Sequence, residues 1–74
     1  MDHEISKKAY DQVSNGNLSG LDERILSDIR SLRKCTKSGR AHLWLVKSQG
    51  KYFLGLIEID LVQEQPPYGR VVIV

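Results

Sequence analysis

Residues 41–62, AHLWLVKSQGKYFLGLIEIDLV, are the longest apolar run of the chain, and how they fold decides what the rest can do. Two runs of leucine, β-branched and aromatic residues flank the polar segment Ser48-Gln49-Gly50-Lys51, a pattern that predicts a β-hairpin. Gly50 supplies the positive φ that a tight turn requires. Centring the turn on Gln49-Gly50 places Val46 opposite Phe53, Trp44 opposite Gly55 and His42 opposite Ile57. Side chains alternate along a strand, so His42, Trp44, Val46, Phe53, Gly55, Ile57 and Ile59 share one face. An indole lying over a bare glycine is a cross-strand arrangement that offsets the missing side chain. This face is expected to be the core.

The other face carries Leu43, Leu45, Tyr52, Leu54 and Leu56 and turns polar only towards Glu58 and Asp60. An antiparallel sheet with one face in water shows clean alternation of apolar and polar residues, and this hairpin does not. A cover over the leucines is therefore expected, and a twofold homodimer or another protein is the expected partner, with Leu43, Leu45, Tyr52, Leu54 and Leu56 as its interface. The competing arrangement splits the helices, one to each face.

Outward from the hairpin, residues 4–15 place Ile5, Ala9 and Val13 four apart, the spacing of a short amphipathic helix. Asp2 is the expected cap, Glu4 and Lys8 a favourable i,i+4 pair, and Asn15-Gly16 the stop. A second helix is predicted after Ser19, with Leu21, Ile25, Leu26, Ile29 and Leu32 on one stripe, running to about Lys37. Its acidic residues crowd the first turn and its basic ones the last, as the helix dipole prefers. Beyond the hairpin, Pro66-Pro67 marks a loop, since proline donates no ladder hydrogen bond. A last strand follows over residues 70–74. The predicted architecture is a single α+β domain over residues 1–74: two N-terminal helices packed on a three-stranded antiparallel meander with strands 41–47, 51–63 and 70–74. Its expected core is Ile5, Ala9, Val13, Leu21, Ile25, Ile29, Leu32, Trp44, Val46, Phe53, Ile57 and Ile59.

With 74 residues, 41% hydrophobic and 27% charged, the chain has the composition of one small globule. No apolar run approaches a membrane span and the polar start Met1-Asp2-His3-Glu4 does not read as a signal peptide, so a cytoplasmic location without membrane contact is expected. The single Cys35 suits a reducing compartment and forms neither an internal disulfide nor a cysteine zinc cluster; no metal or cofactor is expected.

Charge is unevenly placed. Residues 29–51 hold seven bases, Arg30, Arg33, Lys34, Lys37, Arg40, Lys47 and Lys51, and no acid, whereas the segments on either side are net acidic. A concentrated basic surface is the electrostatic signature of phosphate binding, so contact with RNA, DNA or an acidic partner is one reading. Solvated cations at a helix end and a hairpin tip are the plainer one.

Chemistry is thinly represented. His42, Arg40, Tyr52 and Tyr68 are the residue types of a metal-independent RNA-cleaving site. Glu58 and Asp60, two apart on a strand, have no third ligand at metal spacing. Glycine-rich phosphate loops and nucleophile motifs are absent from the sequence. The order helix, helix, antiparallel meander is similar to the body of the small bacterial messenger-RNA-cleaving toxins of the RelE type. Those proteins begin with a strand that joins the sheet, whereas this chain reads as beginning with a helix, so no residue is carried over. Three functions follow in order: a non-catalytic interaction or regulatory module, a nucleic-acid binder acting through residues 30–51, and a small ribonuclease of toxin type.

Overall fold

The structure, a computed structural model, describes residues 2–57 and 69–74. Its elements are β1 (Asp2–Ile5), α1 (Lys7–Ser14), α2 (Glu23–Lys34), β2 (His42–Ser48), β3 (Lys51–Ile57) and β4 (Arg70–Ile73). The hairpin forms in the expected register, with Trp44 opposite Gly55, Val46 opposite Phe53 and His42 opposite Ile57. Its turn places Gln49 at φ 51° and Gly50 at φ 75°, the two consecutive left-handed residues whose twist matches that of the flanking strands. The predicted continuation of β3 to Gln63, the core residue Ile59 and the Pro66-Pro67 loop lie outside the described residues.

The sheet has four antiparallel-paired strands, not three, in the order β1-β3-β2-β4. Two expectations are corrected by this. The chain begins with a strand: Asp2, His3, Glu4 and Ile5 pair with Gly55, Leu54, Phe53 and Tyr52 of β3. The predicted Glu4–Lys8 helical pair is thus absent, and the helix cap is Ser6, whose Oγ accepts from the Ala9 amide at 3.0 Å. Nothing in the four polar-rich residues marks a strand locally; the free hydrogen-bonding edge of β3 selects that conformation, an override of propensity by tertiary pairing. The second correction follows from the first. With β1 on the outer edge of β3, the last strand has only the outer edge of β2 left, so β4 pairs with β2 and no meander forms. A leading strand joined to the sheet is the feature whose expected absence set this chain apart from the RelE-type toxins.

Both helices are shorter than the periodicity suggests. Helix α1 ends where Asn15-Gly16 places it, with Gly16 at φ 83° and its amide bonded to the Val13 carbonyl at 2.9 Å. Helix α2 starts one turn later than a Ser19 cap implies, because Asp22 caps it, accepting from the Ile25 amide at 3.1 Å. A carboxylate cap also meets the positive end of the helix dipole.

The helices lie on the face opposite to the one expected. Ala9 and Val13 of α1 and Ile25 and Ile29 of α2 join Leu21, Ala41, Leu43, Leu45 and Leu54 in one buried cluster, flanked by Ile5, Tyr10, Leu18, Leu26, Leu32, Leu56, Val72 and Val74. Leu43, Leu45 and Leu54 are 0% exposed. The leucines are core, and Trp44, Val46, Phe53 and Ile57 fall outside that cluster. The physical reason is area. Four leucines offer a continuous apolar layer worth about 1.5–3 kcal/mol per side chain buried, whereas the other face spends one central position on Gly55 and another on His42. Small Ala9 and branched Val13, Ile25 and Ile29 fill the spaces between those leucines. At the turn end, Tyr10 tilts against Tyr52 with ring centroids 5.0 Å apart, and Lys47 Nζ lies 5.8 Å from the Tyr52 centroid.

Gly69 enters β4 at φ 97°, and a Cβ there would lie 2.8 Å from the Leu45 carbonyl oxygen. Glycine is required twice over, by conformation and by the closeness of β2.

Three truncations check this packing and the cap of α2. Leu45→Ala, at the centre of the layer, should lower the unfolding free energy by about 2–5 kcal/mol in denaturant titration. The equivalent truncation Val46→Ala, on the other face, should cost well under half of that. Removing the carboxylate in Asp22→Ala should cost about 1 kcal/mol, with most of the loss in the first turn of α2.

Candidate binding surface

Alternation along the strands sorts the second face of the sheet as His42, Trp44, Val46 and Ser48 from β2, Lys51, Phe53, Gly55 and Ile57 from β3, Val71 and Ile73 from β4, and Glu4 from β1. Trp44, Val46, Phe53 and Val71 are half-buried, and Ile73 is 49% exposed, the outlying large hydrophobic among the described residues. His42 and Ile57, directly paired, are buried. Neither described helix contributes to this face, because both are engaged with the leucine layer. The result is a strip of two aromatic and several branched side chains, bordered by the charge of Glu4 on β1 and by that of Lys51 at the hairpin turn.

The interface anticipated at Leu43, Leu45, Tyr52, Leu54 and Leu56 is thereby corrected. Leu43, Leu45 and Leu54 are sealed under α1 and α2, Leu56 packs against the same cluster, and Tyr52 is half-covered beside Tyr10. Sequence reasoning recognised that the hairpin is apolar on both sides and that one side is left over. It chose the wrong side, and it missed Val71 and Ile73 because the strand order that brings β4 beside Trp44 depends on β1.

The basic residues are divided between the two ends of the sheet. Arg33, Lys34, Lys37 and Arg40 gather where α2 ends and the chain turns into β2, in a loop tied by Thr36, whose Oγ1 lies 3.0 Å from the carbonyl oxygens of both Arg33 and Arg40. Arg30, further back on α2, is engaged by Glu23 through Nη2 and Oε1. Lys47 and Lys51 flank the hairpin turn, about 20 Å away along β2 at a rise of about 3.3 Å per residue. The segment that is continuous in sequence is therefore not one surface.

The residue types of an RNA-cleaving site are not assembled either. His42 is buried on one face of the sheet, Tyr52 points to the other, and Arg40 lies before β2 begins. Tyr68, Glu58 and Asp60 lie outside the described residues. Cys35 closes α2 as an exposed free thiol. A shallow depression of about 670 Å3 lies between β1 and α2, lined by His3, Glu23, Arg24, Ser27 and Asp28, with His3 Nε2 3.3 Å from Asp28 Oδ2. Among the described residues no group of three or more His, Cys, Asp or Glu is placed to hold a metal ion, and no helix is long and apolar enough to cross a membrane.

No protein-family model matches this chain, and no curated protein or solved structure matches it either.

Proposed function

We propose that this chain is a small non-catalytic interaction module and that it docks a protein partner on the sheet face its helices leave free. The observation that supports this reading is the placement of Trp44, Val46, Phe53, Val71 and Ile73 together on that face, outside the buried cluster. Aromatic side chains with apolar neighbours are what protein interfaces use as anchors, since they bury a large area at little entropic cost. Its centre is apolar and its charges, Glu4 and Lys51, stand at its borders and are of opposite sign, which makes the strip a poor platform for a phosphate backbone.

Trp44 is the single tryptophan and reports on this face directly. The native protein should bind the apolar dye anilinonaphthalene sulfonate close enough to quench Trp44 emission. Phe53→Glu, with an unchanged far-ultraviolet circular dichroism spectrum, should remove that binding. Native protein that ignores the dye and shields Trp44 from iodide as a core residue is shielded would mean that the face is closed, and the reading would fail.

A second reading rests on one end of the sheet alone, where Arg33, Lys34, Lys37 and Arg40 stand within eight residues of one another. Four cations, Arg33 and Lys34 in the last turn of α2 and Lys37 and Arg40 on the tied loop after it, suit a nucleic-acid backbone or an acidic segment. If duplex DNA is bound there, the Lys34→Ala, Lys37→Ala double variant should lower the log-log salt slope by up to about 1.8, at about 0.9 for each phosphate no longer neutralised. The pair Lys47→Ala, Lys51→Ala at the far end should leave it unchanged. Absence of binding at low salt, or an equal effect of both pairs, removes this reading.

A further inference from the structure

The two edges of the sheet are built differently. Strand β1 interrupts its edge with a charge at Glu4, whereas β4 after Arg70 reads Val71, Val72, Ile73, with neither a charge nor a proline to discourage another strand. The orientation of the β4 backbone follows from two hydrogen bonds. Ala41 N donates to the Val74 carbonyl at 2.8 Å and Val74 N donates to the Ala41 carbonyl at 2.9 Å, so 41 and 74 form a mutually bonded pair. Bonded and non-bonded pairs alternate in an antiparallel ladder, and the register continues as His42–Ile73, Leu43–Val72, Trp44–Val71, Leu45–Arg70. Val72 and Arg70 therefore turn their amides and carbonyls towards β2. Val71 and Ile73 turn theirs outward, and among the described residues nothing receives them.

We propose that β4 pairs with β4 of a second copy of this chain about a twofold axis through Val72. The geometry selects that register. A new antiparallel ladder must use the outward groups, and placing Val71 opposite the partner's Ile73 engages all four of them on each chain in two mutually bonded pairs. Val72 then meets its own symmetry mate as the non-bonded pair on the axis. Arg70 falls opposite the partner's Val74, so no like charges face each other. The two sheets become one of eight strands. Ile73, the exposed large hydrophobic among the described residues, gains a branched neighbour on the same face. This pairing is independent of the docking reading above: it uses the edge of the sheet, leaves Trp44 uncovered, and presents two copies of the aromatic strip side by side.

Sedimentation equilibrium with residue-resolved hydrogen exchange tests it. The full chain should reach twice its monomer mass at micromolar concentration. The amides of Val71 and Ile73 should exchange at least tenfold more slowly in the dimer than on dilution, while Val72, already bonded to β2, stays protected in both. Ile73→Pro removes one outward amide and no bond to β2, and proline is tolerated on an edge whose amide faces solvent. It should sediment as a monomer with an unchanged circular dichroism spectrum. Should that variant lose its fold, Ile73→Lys keeps the backbone intact and should give the same monomer by charging the edge. A wild-type monomer at all concentrations overturns the pairing. So does a dimer in which Val71 and Ile73 still exchange freely; if Trp44 also becomes shielded from iodide in that dimer, the contact is face to face, which retains the docking surface and discards the edge.

Discussion

The leucine layer formed by Leu43, Leu45 and Leu54 is the contact on which the rest of the molecule depends. It lies at the centre of the sheet, where β2 and β3 pair, and it receives both helices at once through Ala9, Val13, Ile25 and Ile29. A domain of this size hides a smaller share of its surface than a larger one, so it has little to spare for a second core. Committing both helices to one side maximises the burial there. The cost is that the opposite side of an equally apolar hairpin receives no helix, and the candidate binding surface is a direct product of that commitment.

The edges follow from the same constraint. A strand pair alone is marginal in water and gains from flanking strands. Strand β1 fills the outer edge of β3 although its composition is poor for a strand, because paired backbone and two inward side chains, His3 and Ile5, are better than an exposed ladder. Strand β4 then fills the outer edge of β2. Each outer strand moves the problem of unpaired backbone one position outwards; β1 answers it with a charge inside the strand at Glu4, whereas β4 carries its charge, Arg70, only at its first residue.

Local patterns in the sequence carried the hairpin, its register and the two helices, because each is encoded in a few neighbouring residues: Gln49-Gly50 at the turn, apolar residues four apart, and Asn15-Gly16 at a helix end. What was not legible depends on residues far apart. That Asp2 to Ile5 are strand is decided by Tyr52 to Gly55, and the position of β4 is decided in turn by β1. The choice of buried face failed for a different reason. The Trp44–Gly55 pairing is a true feature of the sheet, but it is a cross-strand contact that forms on either an open or a closed face and says nothing about where the helices go. Comparing the apolar area on the two faces would have favoured the leucines. The basic residues illustrate the same limit: contiguous in the chain, Arg33 to Arg40 and Lys47 to Lys51 are separated by the length of a strand.

The strand order also sets a schedule for folding. Helix, turn and hairpin contacts are local and close early, whereas β1 has to wait until nearly fifty residues later in the chain, when β3 is present, before it has any partner at all. Strand β4 reaches β2 only by passing the whole of β3 in sequence. The hairpin is therefore the template on which both outer strands assemble. During synthesis, the first segment made is among the last to find its place.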